Sequence, residues 1–392
     1  SIVLLSTAML ATRSLFNLEH QNTGFETEGR YTVDLDLKGS GFKPEGLPGA
    51  YRAMEDALKA LPGARHVSFA RYLPLEGNEW GSCVTVQGHP APNPNDTCFA
   101  DWDRVSAEFL DSIGVHVTRG RGFTGSDEGG TVPVALVNEA FVKRFFPREN
   151  PIGKHFGVNG VQYSDSFEIV GVTQDFKLTD AREDAQPMFL RPMGQRYTGY
   201  KKPEEQGAEE SSLYLNRMIV QFDRPQTNAE QIIRGAITGV DRNILVIHVR
   251  DYPYVVAANF NDDRLIARLT EAFGLLALVL ASVGLYGVMS YTAVRRTGEI
   301  GIRMALGASR PRIVSLMARS ALTQVIAGVA IGLPVSLLAG RLMGRMLYEV
   351  HADDPLALTG AVAALAACVS IAALVPAIRA ASIDPMDALR AE

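Results

Sequence analysis

Three long apolar runs crowd the last third of the chain. Residues 269–294, LTEAFGLLALVLASVGLYGVMSYTAV, carry a single formal charge, Glu271. The run 321–340 carries none, and its helix is expected over about 318–340. The run 357–378 is likewise uncharged. A helix of about 20 apolar residues spans a hydrocarbon core of ~30 Å. One such run alone reads equally well as a buried helix of a large soluble protein. Three in close succession, with arginines between the first two, read as membrane helices. A further apolar run, SIVLLSTAMLATRSLFNL, occupies residues 1–18. It lacks a basic leader region and a small-residue cleavage site, so it is a poor signal peptide. It reads instead as the outer half of a membrane helix truncated at its start, with Arg13 near the interface, where its stem can snorkel.

Between residues 19 and 265 the pattern is that of a soluble domain. RYTVDLDL (30–37) alternates apolar and polar as a half-buried strand does. PGAYRAMEDALKALPG (48–63) has helical spacing and closes at Pro62-Gly63, and ARHVSFARYLPL then reads as a strand. The same order returns in RMIVQF (217–222), NAEQIIRGAITGV (228–240) and ILVIHV (244–249). The economical architecture is one α+β layer domain built from 19–80 and 212–265, with 81–211 inserted into it. Within the insert, GRG at 120–122 marks a turn, and Asn138 is expected to cap a helix over 139–146. The tract 194–212, GQRYTGYKKPEEQGAEESS, is polar without a period and is expected to be a loop.

Charge sets the orientation. Arg295, Arg296, Arg303, Arg310, Arg312 and Arg319 lie between the first two spans, which places that connection in the cytoplasm and the 19–265 domain outside. Arg379 and Arg390 put the end of the chain inside. The net charge of −5 and the lack of a basic face with interleaved aromatics exclude nucleic acid as a partner. In an oxidising compartment Cys83 and Cys98 would staple a hairpin, the alternative being two free buried thiols; Cys368 reads as a packing residue.

No catalytic constellation emerges. His20, His66, His89, His116, His155, His248 and His351 are scattered without metal-ligand spacing, and no G-x-S-x-G elbow is present. NPIGKHF lacks the leading glycine and the Ser/Thr after Lys154 that a phosphate loop needs. Asp175 reads as a turn former at a strand end. The chain is therefore not expected to be an enzyme, nor to bind a metal or cofactor itself.

The segment after the first span, RRTGEIGIRMALGASRPRIV, has a local logic of its own. Glu299 and Arg303 stand at i and i+4, Ile300 and Met304 share a face, and Gly307 suits the end of a short helix. Ser309 and Pro311 suit the start of the next helix. Such a helix at the cytoplasmic surface either rests among lipid headgroups or docks a cytoplasmic partner. In the next span Gly328 and Gly332 form a G-x-x-x-G that admits close helix packing, and Pro334 is expected to kink the helix beyond it.

Here the motifs gain a family. RRTGEIGIRMALGASRPRIV and the ending VPAIRAASIDPMDALRAE resemble the cytoplasmic signatures of MacB/FtsX-like ABC-transporter permeases. GRGFTGSDEGGTVPVALVNEAFVKRFFPRENPIGKHF and FEIVGVTQDF resemble that family's extracytoplasmic domain. The likeness is strongest to the duplicated orphan permeases of the acidobacterial type, of which this would be the second unit. The resemblance implies a porter-like split βαβ subdomain with an inserted, largely β MacB-like subdomain (81–211), and an FtsX-like permease domain over 266–392. It also implies a multi-pass protein of the bacterial inner membrane with its large domain in the periplasm. ATP would act through a partner ATPase subunit docked on Glu299, Ile300, Gly301, Arg303, Leu306, Gly307 and Ala308. The remaining partners implied are membrane lipid, a second permease unit and a periplasmic protein. The outcome is export or mechanical signalling; the alternative is a non-transport scaffold that engages a periplasmic protein.

Overall fold

The computed structural model describes residues 1–77, 80–92, 98–129, 132–296, 299, 302, 306, 309–344 and 347–381. Its chain divides into two compact units, one made of Ser1–Gln21 with Phe260–Glu392, the other of Asn22–Asn259. The first element, α1 (Ile2–His20), belongs to the former.

The second unit is built on strands. β1 (Arg30–Asp36), α2 (Leu47–Lys59) and β2 (Ala64–Ala70) form one βαβ unit. The insert follows with β3 (Gly81–Val86), β4 (Phe99–Val105), α3 (Phe109–Ile113), β5 (Val117–Gly120), β6 (Val134–Asn138) and α4 (Glu139–Phe145). It continues with β7 (His155–Val158), β8 (Phe167–Thr173), β9 (Met188–Pro192) and α5 (Pro203–Ser212). The second βαβ unit is β10 (Arg217–Phe222), α6 (Ala229–Val240) and β11 (Leu245–Asp251), followed by α7 (Tyr252–Ala258).

The two βαβ units interleave. β1 pairs antiparallel with both β10 and β11, and β10 pairs antiparallel with β2, giving the order β11-β1-β10-β2. Each unit thus carries a strand of the other between its own two, which is the split βαβ arrangement. Helix α2 turns Leu47, Tyr51, Met54 and Leu58 inward at helical spacing, and α6 turns Ala229, Ile233 and Ile237 inward. They share one core with Val33, Val67, Phe69 and Val220 of the sheet.

The insert closes on itself. β4 pairs with β3, β3 with β7, β7 with β8, β8 with β6, β6 with β9, and β9 returns to β4 in parallel. Ring closure removes the free strand edges that invite aggregation. Phe141, Phe156, Phe167 and Phe189 fill the interior, with the Phe156 and Phe189 ring centroids 5.1 Å apart. Asn138 caps α4 as the sequence predicts, its Oδ1 accepting from Phe141 N at 2.9 Å. A disulfide joins Cys83 to Cys98 across a Cα separation of 4.8 Å, and Cys368 is free. The polar tract expected as a loop instead contains α5. Pro203 pre-sets its first turn, Glu204 and Glu205 suit the positive end of its dipole, and a buried anchor holds its last turn.

The helical unit packs α1 against α8 (Asn261–Arg295), α9 (Arg310–Leu342) and α10 (Pro355–Ala381). Among the described residues three stretches, within Asn261–Arg295, Leu322–Leu342 and Pro355–Pro376, are long and apolar enough to cross a membrane. Their outer faces expose Leu276, Leu280, Val283, Ile331 and Leu338, which suits a hydrocarbon solvent and not water. Helix α8 begins before its apolar run because Asp262 and Asp263 complement the dipole of its first turn, and Arg264 Nε reaches Glu19 at 2.7 Å. Helix α9 runs through Pro334 as one element.

Candidate functional site

Two places in the helical unit and one in the α+β unit show features that ordinary packing does not require. The first lies between α8 and α9. Helix α8 ends at Arg295, and Ser309 stands at the N-cap position of α9 with extended backbone and no side-chain cap bond, with Pro311 in the first turn. Within this segment Glu299 is helical and exposed, and Leu306 N donates to Ile302 O at 3.0 Å, closing one helical turn. Ile302 and Leu306 stand 52% and 84% exposed, so two apolar side chains at i and i+4 share an uncovered face. Ile300, Gly301, Arg303, Gly307 and Ala308 lie outside the described residues.

The second place is the end of the bundle where α1 leaves and α8 enters. Thr12 Oγ1 donates to Glu271 Oε1 at 2.6 Å, and Arg13 pairs with Asp354. Tyr348 N donates to Ser14 Oγ at 2.8 Å, and Tyr348 OH meets Gln21 Oε1 at 2.9 Å. These polar contacts form a belt that ties α1 to its neighbours. Close packing lies deeper. A side chain at Gly332 would overlap Ile2 of α1, whereas Gly328 faces open space, so only half of the G-x-x-x-G is engaged. Gly274, which the sequence reading passed over, receives Ala8 and Leu5 at 3.6 Å from where its Cβ would stand.

The third place is a buried charge cluster that no motif announced. Arg104 of β4 and Arg191 of β9 are paired in register on neighbouring strands, and both are almost completely buried. Glu209 of α5 sits between them, accepting from Arg104 Nη2 at 2.9 Å and from Arg191 Nη1 and Nη2 at 2.8 Å each. Tyr197 N adds a bond at 2.8 Å, and Arg104 Nε donates to Ser212 Oγ at 3.0 Å. Burial raises the Glu209 pKa, but the charges of Arg191 and Arg104 outweigh it and hold it down to about 2. One carboxylate thus fixes α5 to two strands that would otherwise repel. The only sequence cue was an arginine inside the apolar strand MFLRP. Asp175, expected as a turn former, accepts from Ala140 N at 2.9 Å, and burial raises its pKa. Among the described residues no group of three or more His, Cys, Asp or Glu could hold a metal.

Comparison with known proteins gives the chain a family. The family described as MacB-like periplasmic core domain matches residues 1–238, and that described as FtsX-like permease C-terminal matches residues 271–385. The macrolide export ATP-binding/permease protein MacB of Nitrosomonas europaea is 29% identical over 288 residues, covering 70% of this chain and 40% of the relative. The ABC transporter permease YvrN of Bacillus subtilis is 24% identical over 298 residues, covering 74% of this chain and 69% of YvrN. The chain spans about two fifths of the MacB relative. The periplasmic region of MacB from Actinobacillus actinomycetemcomitans is 17% identical at a TM-score of 0.38, covering 62% of this chain and 98% of that structure. Matched over most of its length by these two families, the chain belongs to the MacB/FtsX-like permeases of ABC transporters, membrane proteins with a periplasmic domain.

Proposed function

We propose that this chain is the transmembrane permease part of an ABC-type system of the bacterial inner membrane. A separate subunit hydrolyses ATP, docks on the cytoplasmic segment between α8 and α9, and drives movement of the periplasmic unit. The observation that carries this reading is the exposed apolar turn of Ile302 and Leu306 beside Glu299, within the motif EIGIRMALGAS. Apolar side chains one turn apart on an exposed helical face are the form in which a short helix enters a partner's groove. A lipid anchor would instead present its arginines to headgroups and its apolar face to the bilayer.

On this reading NPIGKHF is no nucleotide site, since it lacks the leading glycine and the hydroxyl after the lysine that a phosphate loop needs. A second permease unit completes the assembly by pairing with the helical unit. The outcome of that movement is export, the activity in the MacB relative's name. A photo-crosslinking residue in place of Leu306 tests the contact in living cells. The expected product is an adduct with a nucleotide-hydrolysing subunit, with none from the same residue at Leu280. Equal labelling at both positions, or lipid adducts alone at Leu306, would refute docking.

A further inference from the structure

The helical unit has an open groove of about 640 Å³ between α1, α8 and the start of α10. Its deeper walls are apolar, formed by Leu5, Ala8, Met9, Leu275 and Leu278, and towards its outer end Thr12, Arg13 and Glu271 add polar groups beside Phe16. From Leu5 to Thr12 the wall of α1 rises by roughly 10 Å at 1.5 Å per residue. That depth fits within one leaflet of about 15 Å. The slot therefore has the length of an alkyl segment and a polar rim where headgroups lie.

Arg13 is paired with Asp354, and the Glu271 carboxylate meets the Thr12 hydroxyl, a neutral donor, at 2.6 Å. Glu271 thus has a hydroxyl and not a cation as its hydrogen-bond partner at the mouth of the groove, where a carboxylate favours a cationic ligand that can donate hydrogen bonds. We propose that the groove holds one acyl chain of an aminophospholipid of the outer leaflet, with the lipid's primary ammonium on Glu271. A second copy of the chain seated there would set its own Glu271 against this one, its Arg13 being already paired with Asp354. The proposal rests on membrane insertion of the helical unit and is independent of ATPase docking.

The test uses the full chain in mild detergent with phosphatidylethanolamine, phosphatidylglycerol and phosphatidylcholine at equal mole fractions, read by native mass spectrometry. The wild type is expected to retain one phosphatidylethanolamine in preference to phosphatidylglycerol by roughly tenfold, the worth of one hydrogen bond to a charged group. Glu271→Gln should abolish the preference, Glu271→Asp should keep most of it, and Ala8→Trp should lower retention of every lipid by filling the slot. Without any substitution, a photoreactive aminophospholipid should label α1 and α8 peptides facing the groove. Equal retention of the two headgroups, an unchanged preference in Glu271→Gln, or labelling confined to other helices overturns the proposal. A dimer that carries no lipid also overturns it and assigns the groove to a second copy.

Discussion

Replacing Glu209 with glutamine removes the one negative charge between Arg104 and Arg191 while keeping the shape of the side chain. Its carboxyl titrates at about 2 in the folded protein against the ordinary 4.5. A shift of that size corresponds to about 3 kcal/mol of folding free energy at neutral pH, since each pKa unit is worth about 1.4 kcal/mol. That size matches the roughly 3–5 kcal/mol lost when one partner of a buried ion pair is removed. The folded pKa is depressed, so this stability is present above the unfolded pKa and is lost as pH falls from about 4.5 towards 2. The gap between wild type and variant should therefore shrink by roughly half between pH 7 and pH 3.

The assay is built into the molecule. Both tryptophans of the chain, Trp80 and Trp102, lie in the α+β unit, and Trp102 has the Arg191 guanidinium 5.5 Å from its ring centroid. Their fluorescence during heating of the full chain in detergent reports this unit alone. At about 2–4 °C per kcal/mol for a domain of this size, Glu209→Gln should lower the midpoint by roughly 6–12 °C at pH 7. A shift under about 2 °C, or a gap that does not narrow in acid, refutes the reasoning that Glu209 is what holds α5 in place.

Other consequences follow from single sites. Gly332→Val should lower the thermal stability of the helical unit in detergent because Ile2 occupies the added volume, while Gly328→Ala should leave it unchanged. Intact mass without reductant should show the Cys83–Cys98 bond, and Cys83→Ser should cost about 3 kcal/mol for a closed loop of this length, read as a lower denaturation midpoint. Cysteines at Ser309 and Lys202, both exposed, should react with impermeant thiol reagents from opposite faces of the membrane; reaction from the same face contradicts the topology.

What the sequence revealed follows the range of the interactions. Helices α8 to α10 were legible because length and hydropathy alone mark a membrane span, and the interleaved βαβ units because periodicity and order are local. Ring closure of the insert was not, since it depends on β4 meeting β9, strands far apart in the chain. Helix α5 was missed because PEEQGAEESS has no apolar stripe, its anchorage being one buried carboxylate. For the same reason the Arg104–Arg191–Glu209 cluster left no pattern: three charged residues on three elements become one site only after folding. The packing of Gly332 against α1, with Gly328 left open, likewise depends on which helix arrives.

Purification of the full-length protein in mild detergent, followed by an ATPase assay, addresses the central claim most directly. The account predicts that a nucleotide-hydrolysing subunit co-purifies with the wild type. It also predicts that Glu299→Arg combined with Gly307→Trp abolishes that recovery while the permease stays membrane-inserted and monodisperse. Equal recovery of ATPase activity with the double variant would contradict docking on the segment between α8 and α9 and leave that segment a lipid anchor.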